Sequence, residues 1–263
     1  MEREAILFEV ADNVATITLN RPERLNAFND AMAADMEWAW ETVREMDDVH
    51  CVVLQANGDR AFCTGLDVTG EGITNEKTWF MKDNEWNSFD PGVTLGPKQH
   101  HKVWKPVVTA VHGLCAGGAQ YFLNEADIII CSDDAVFFDP HANAGIVSAL
   151  EPIGMLHRGV PLGDVLRWAL MGNEERITAD TALRLGLVTE VVPLDALRDR
   201  ARQIAVSIAR RNPKAVQGTV RAIWESLDMT RSTALQSGFS YTLIGNFPPN
   251  PPAPRDKSER QYR

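Results

Sequence analysis

Residues 107–119 read VVTAVHGLCAGGA, and a helical run continues from there through Glu125. An apolar, β-favouring stretch from Val107 feeds a turn of small residues, so a buried strand gives way to a helix across His112, Gly113 and the pair Gly117, Gly118. Glycines at such a turn leave backbone N–H groups bare, and the helix start adds a partial positive charge. An oxygen that gains negative charge would be stabilised there. Close packing of backbone on backbone is the other use of the same glycines. The spacing is neither the dinucleotide-binding G-x-G-x-x-G nor the P-loop G-x-x-x-x-G-K. A second stretch, AFCTGLD at 61–67, has the same character, a strand end followed by small residues.

Outward from this turn the chain reads as an α/β protein. Ile6 to Val10 and the alternating Ala15, Ile17 and Leu19 form a hairpin about Asp12-Asn13. After Asn29, a capping type, Met32, Met36, Trp40, Val43 and Met46 recur at helical spacing. Short strands are expected at Cys51 to Gln55, Val107 to His112, Asp127 to Cys131 and Val188 to Val192. Gly70 to Gln99 is irregular but carries Trp79, Phe80, Met81, Trp86 and Phe89, so it is expected to fold over a pocket or a neighbouring subunit. The stripes Leu197, Ala201, Ile204, Ala205, Ile208 and Val216, Val220, Ile223, Leu227 predict helices, with part of their apolar surface covered between subunits. Three regions follow: a core over 1–193, a helical region over 194–247, and a proline-rich tail over 248–263.

The chain has 263 residues, 26 basic and 36 acidic, a formal charge of −10, and 44% apolar positions. That is enough to bury a core without disulfides or a structural metal. The acidic balance argues against a nucleic-acid partner, whose phosphates call for clustered Lys and Arg. Cys51, Cys63, Cys115 and Cys131 show no C-x-x-C and no histidine at ligand spacing, which points to a reducing compartment and no metal site. No run approaches a signal peptide or the roughly 18 apolar residues of a spanning helix, so the expectation is a cytoplasmic protein without a membrane partner.

ITLNRPERLNAF at 17–28, AFCTGLD at 61–67, KPVVTAVHGLCAGGA at 105–119 and ITADTALRLGLVTEVVP at 177–193 together resemble the crotonase superfamily, the enoyl-CoA hydratases and isomerases. The resemblance runs from about Ile6 to Leu227. It implies a spiral of ββα units with a C-terminal helical trimerisation region, assembled as a homotrimer or a dimer of trimers. It also implies an acyl-CoA substrate, coenzyme A being part of that substrate and no further cofactor being needed. The thioester oxygen would be held by the backbone N–H groups of Leu66 and Gly118. Arg24, Leu25 and Ala27 would lie along the pantetheine and phosphates, with Thr64 and Asp67 near the adenine.

The chain departs from this pattern where hydratases of the family carry two glutamates: Tyr121 and His141 stand at those positions. Water addition by two carboxylates is therefore not expected, and His141, Tyr121 and Glu151 are the catalytic candidates. His141, flanked by Phe137, Phe138 and Pro140, is expected to be partly desolvated, which favours its neutral, basic form. Each has a plainer reading: Tyr121 as packing, His141 as a wall residue, Glu151 as a surface partner of Arg158 or Arg167. Asp139, before a proline, reads as a turn former. Hydratase or isomerase chemistry leads, with a C–C bond hydrolase acting on a cyclic β-diketone-like or ring-containing substrate, or a non-catalytic acyl-CoA binder, as alternatives.

Overall fold

The computed structural model describes residues 3–69 and 78–245. Strands β1 (Ile6–Ala11) and β2 (Val14–Leu19) form the expected antiparallel hairpin. Asp12 and Asn13 at its tip take φ of 55° and 61°, the left-handed pair of a type I′ turn that short polar side chains tolerate. Helix α1 (Asp30–Glu45) begins where the Asn29 side chain accepts the Met32 N–H, the N-cap bond that satisfies an otherwise orphaned donor.

Three strand pairs then trace the same path. They are β3 (Cys51–Ala56) with β4 (Ala61–Cys63) before the short α2 (Gly92–Leu95), β5 (Val107–Val111) with β6 (Leu114–Ala116) before α3 (Gln120–Asn124), and β7 (Ile128–Ser132) with β8 (Val136–Phe138) before α4 (Leu150–His157) and α5 (Leu162–Met171). Then β9 (Ile177–Thr178), α6 (Ala179–Leu185) and β10 (Glu190–Val192) close the spiral. The first strand of each pair joins a six-stranded sheet ordered β1-β2-β3-β5-β7-β10, and the second joins a four-stranded sheet ordered β4-β6-β8-β9. From β2 onward the large sheet is parallel, as are β4, β6 and β8 in the small one. This is the spiral of ββα units expected from the sequence.

The parallel strands are apolar because both faces of the large sheet are covered. One face, with Ile17, Leu19, Val52, Leu54 and Ile129, meets Met32, Met36, Trp40 and Val43 of α1. Burial of each such side chain is worth about 1.5–3 kcal/mol, and the Trp40 indole N–H is satisfied by the Leu95 carbonyl at 2.9 Å. The opposite face, with Val14, Cys51, Val53, Val108 and Ile130, is covered by α7 (Leu197–Ala209) through Leu197, Ala201, Ala205 and Ala209.

Of the two C-terminal stripes, that of α7 spends its apolar face inside its own subunit. The second stripe differs. Helices α8 (Pro213–Ser226) and α9 (Arg231–Gly245) pack together and bury no residue fully, leaving Ile223, Leu227, Leu235 and Phe239 exposed. A bond of 2.6 Å from the Trp224 indole to Asp127 fastens α8 to the core. The expected irregular segment is mixed. Trp79 packs on the core cluster while Trp86 is 94% exposed, and its stretch 70–77 lies outside the described residues, as does the proline-rich 248–263. No helix among the described residues is long and apolar enough to cross a membrane.

Candidate active site

The ends of three neighbouring parallel strands build the site. Because β6 pairs with β4 on one side and β8 on the other, with Cys63 opposite Cys115 and Ala116 opposite Phe138, the residues after each strand emerge side by side. Those residues are Gly65-Leu66, Gly117-Gly118 and Asp139-Pro140-His141. The carboxyl ends of parallel strands are where open α/β sheets place ligands.

The first two segments contribute backbone. Gly65 has φ +84°, and a β-carbon placed on it would lie 3.1 Å from both Ala116 O and Gly118 N. A β-carbon on Gly118 would lie 2.7 Å from Phe28 Cζ. Leu66 forms a parallel bridge with Phe28: the Phe28 N–H donates to Gly65 O at 2.8 Å and the Asp67 N–H to Phe28 O at 2.9 Å. Phe28 thus bonds the residues on either side of Leu66, and the Leu66 N–H is left on the opposite edge. Gly118 belongs to the first turn of the short 3-10 helix Gly117–Ala119, whose leading N–H groups have no partner within the helix.

Side chains supply the other half. His141 Nδ1 is hydrogen-bonded to Asp139 Oδ1, its backbone N–H donates to the same oxygen at 3.1 Å, and its Nε2 stands 3.8 Å from Glu151 Oε1. A β-carbon on Gly117 would lie 3.5 Å from His141 Cε1, so the ring abuts the glycine turn. Tyr121, the second residue of α3, is buried, and burial followed by the facing Glu151 carboxylate holds its phenol above its ordinary range. Glu151 arrives on α4 because Asn124 Nδ2 donates to its carbonyl at 3.1 Å, docking the start of α4 on α3.

These contacts correct several expectations. Glu151 is buried and turned to His141 and Tyr121, while Arg158 bonds the Ala126 carbonyl at 2.6 Å and Arg167 pairs with Glu175 at 2.6 Å. One glutamate carboxylate therefore faces the histidine and the tyrosine. Asp139 is more than a turn former, since its fully buried carboxylate also holds the His141 ring. The expected direction for His141 is reversed: the Asp139 hydrogen bond outweighs desolvation and, with the Glu151 charge, raises its pKa above 6.5. Burial would raise the Asp139 pKa, but hydrogen bonds from His141 hold it below 3.8. Nearby thiols are inert, with burial pushing Cys63 up to about 12, far from the thiolate a nucleophile requires.

The expected coenzyme-side residues gather on two loops. Thr64 Oγ1 reaches Leu25 O at 3.5 Å and Arg24 Nη1 donates to Thr69 Oγ1 at 3.0 Å. Asp67 is buried and committed within the protein, with Oδ2 at 2.9 Å from Arg21 and Oδ1 accepting from Thr69, so its side chain locks the loops together. Sequence reading missed Arg21 and Asn26. Asn26, 0% exposed, accepts the Arg21 N–H at 2.9 Å and donates to Asn57 O at 2.8 Å and Ala61 O at 2.9 Å. These bonds hold Leu25 and Asn26 at φ of 52° and 53°, a conformation uncommon outside glycine. An Asn beside a loop Leu was the available signal, since Asn tolerates this region. Beyond Tyr121 a cleft of about 720 Å³ opens, walled by Trp104, Leu150, Ile153 and Trp224 among others.

Residues 9–242 match the protein family described as Enoyl-CoA hydratase/isomerase. The (E)-benzylidenesuccinyl-CoA hydratase of Thauera aromatica is 33% identical over 241 residues, covering 91% of this chain and 88% of that one. A (7aS)-7a-methyl-1,5-dioxo-2,3,5,6,7,7a-hexahydro-1H-indene-carboxyl-CoA hydrolase of Rhodococcus jostii is 29% identical, covering 88% and 86%. Among solved structures, an enoyl-CoA hydratase/isomerase from Mycobacterium paratuberculosis superimposes with a TM-score of 0.82 at 34% identity, covering 94% of this chain and 91% of that one.

Proposed function

The chain belongs to the enoyl-CoA hydratase/isomerase family of the crotonase superfamily, and we propose that it moves a proton next to the thioester of a bulky acyl-CoA, with His141 as the principal acid–base residue. Chemistry at the carbon beside a thioester passes through an enolate, whose oxygen carries charge absent from the ground state. The N–H groups of Leu66 and Gly118 receive that oxygen, each worth on the order of 3 kcal/mol by analogy with other oxyanion sites. Arg24, Leu25, Ala27, Thr64 and Asp67 form the coenzyme side.

The observation that carries this reading is the His141 ring, seated against Gly117 between two carboxylates. Its Nε2 takes or returns the proton, and Glu151 with Tyr121 faces the same space. Isomerisation or hydration of an enoyl-CoA is the leading reaction. A second reading, C–C bond hydrolysis of a ring-containing CoA, is supported by likeness to the Rhodococcus jostii hydrolase and by a histidine standing where hydratases carry glutamate. There His141 would take a proton from water, the hydroxide would add to a ring carbonyl, the C–C bond would break to the enolate, and the imidazolium would return the proton to carbon. An acyl group larger than crotonyl is supported by the relatives named for ring-containing thioesters; of the site residues only Tyr121 lines the neighbouring cleft.

A panel of CoA thioesters, from crotonyl-CoA to cinnamoyl- and oxocycloalkyl-carboxyl-CoA, tests the proposal. Loss of enone absorbance or gain of water in the mass spectrum is expected for the ring-containing members. Binding without turnover of any member would leave a non-catalytic acyl-CoA binder, and absence of binding in calorimetry would end the acyl-CoA reading. A homotrimer or dimer of trimers is part of the proposal, supported by exposed Leu162, Leu166, Leu170 and Phe239. Sedimentation at micromolar concentration should show no monomer.

A further inference from the structure

The reading of His141 leaves open which ring nitrogen faces the reacting atoms, and the inference here rests on that reading. We infer that Asp139 is a positioning residue that keeps the Nδ1–H of His141 turned inward, so that the lone pair of the neutral ring sits on Nε2. Asp139 Oδ1 accepts the His141 backbone N–H at 3.1 Å and is within hydrogen-bond reach of the ring Nδ1. One buried oxygen thereby fixes the backbone and the ring together. Pro140 between them fixes its own φ, which holds the spacing of the two residues.

The chemistry admits one tautomer. An ionised carboxylate offers acceptors only, so the nitrogen facing Asp139 carries hydrogen in both the charged and the neutral ring. Nε2 is then the nitrogen that exchanges a proton with a ligand. It lies toward Glu151 Oε1, at 3.8 Å. The groups facing the ring are Asp139 at the end of β8 and Glu151 on α4, with Tyr121 of α3 behind Glu151. A carboxylate orienting an imidazole in this way leaves the proton on the ring and sets the direction of transfer.

The test uses the full chain labelled with ¹⁵N, followed by long-range ¹H–¹⁵N correlation across pH, with His141→Gln to assign the ring. The expected wild-type result is a neutral His141 protonated on Nδ1. Asp139→Asn and Asp139→Ala should lower the apparent pKa of His141 and move the neutral ring toward Nε2–H. With any thioester that is turned over, these variants should lower kcat by about 10²-fold or more, with KM nearly unchanged. A neutral wild-type ring protonated on Nε2 would overturn the inference, as would an Asp139→Asn protein with unaltered tautomer and titration. Should both variants fail to fold, the wild-type spectrum decides alone. Should no thioester react, the functional reading falls while the spectrum still settles the role of Asp139.

Discussion

The site has two halves built on different principles. Gly65-Leu66 and Gly117-Gly118 present backbone N–H groups whose positions follow from strand register and from the space that absent side chains leave. Tyr121, Asp139, His141 and Glu151 converge from α3, the end of β8 and α4, and depend on how those elements dock. The backbone half is thus a property of the fold. The side-chain half depends on residues that can change while the fold stays.

If that division holds, substitutions in the two halves fail differently. The largest effect is expected from His141→Ala: kcat on a verified substrate should fall roughly 10²- to 10⁴-fold, the usual contribution of a positioned acid–base group, with acyl-CoA affinity from calorimetry nearly unchanged. Glu151→Gln measured alongside shows which of the two carries the proton; a larger loss there would transfer the role to Glu151. In the backbone half, Gly65→Ala sets a β-carbon 3.1 Å from Gly118 N at φ +84°. Turnover should fall about 10²- to 10³-fold, as on losing one oxyanion donor, and stability by about 1–2 kcal/mol from the left-handed backbone. Unlike the histidine change, whose effect on stability fades as pH rises, this one should be visible in a chemical denaturation curve at every pH.

Tyr121→Phe should cost less, about tenfold in kcat, because the ring still packs against Phe28 at 6.4 Å between centroids and only the hydroxyl facing Glu151 is lost. A loss as large as that of His141→Ala would make the tyrosine a proton carrier in its own right. Smallest is the effect of pH on stability. The pKa of His141 is raised on folding, so its stabilising share is complete below the ordinary 6.5 and is lost as pH rises through the higher folded value. Asp139 is shifted down, so its share is present above 3.8 and is lost as pH falls through the depressed folded value. Relative to His141→Gln, the wild-type Tm should therefore lead most between about pH 4 and 6.5 and converge at higher pH. A lead that grows toward pH 9 would contradict the charge arrangement.

The same division marks what the sequence made legible. Alternation about Asp12-Asn13, the Asn29 cap and the apolar strands each depend on near neighbours, and each stands where the sequence put it. The glycine turns were readable because a missing side chain is itself a local signal. Glu151 was ambiguous because its orientation depends on Asn124 docking α4 on α3, a contact 27 residues apart in sequence. The charge preference of His141 was misjudged for a related reason. Its flanking phenylalanines are visible in the sequence, whereas Glu151 facing its ring is a tertiary fact, and the Asp139 bond was hidden under a turn reading. Which of the two C-terminal stripes its own subunit covers was not legible, because the sequence does not reveal that the second face of the large sheet is covered by α7.

Exchange of the protons beside the thioester carbonyl of a bound, unreactive acyl-CoA tests the central claim most directly, since it needs no knowledge of the full reaction. Phenylacetyl-CoA in D₂O, followed by ¹H NMR with wild type and His141→Ala at matched saturation, isolates the step that both halves of the site would perform together. The account predicts exchange catalysed by the wild type and reduced roughly 10²-fold or more in His141→Ala, with binding retained. Equal exchange rates in the two proteins at equal saturation would contradict it.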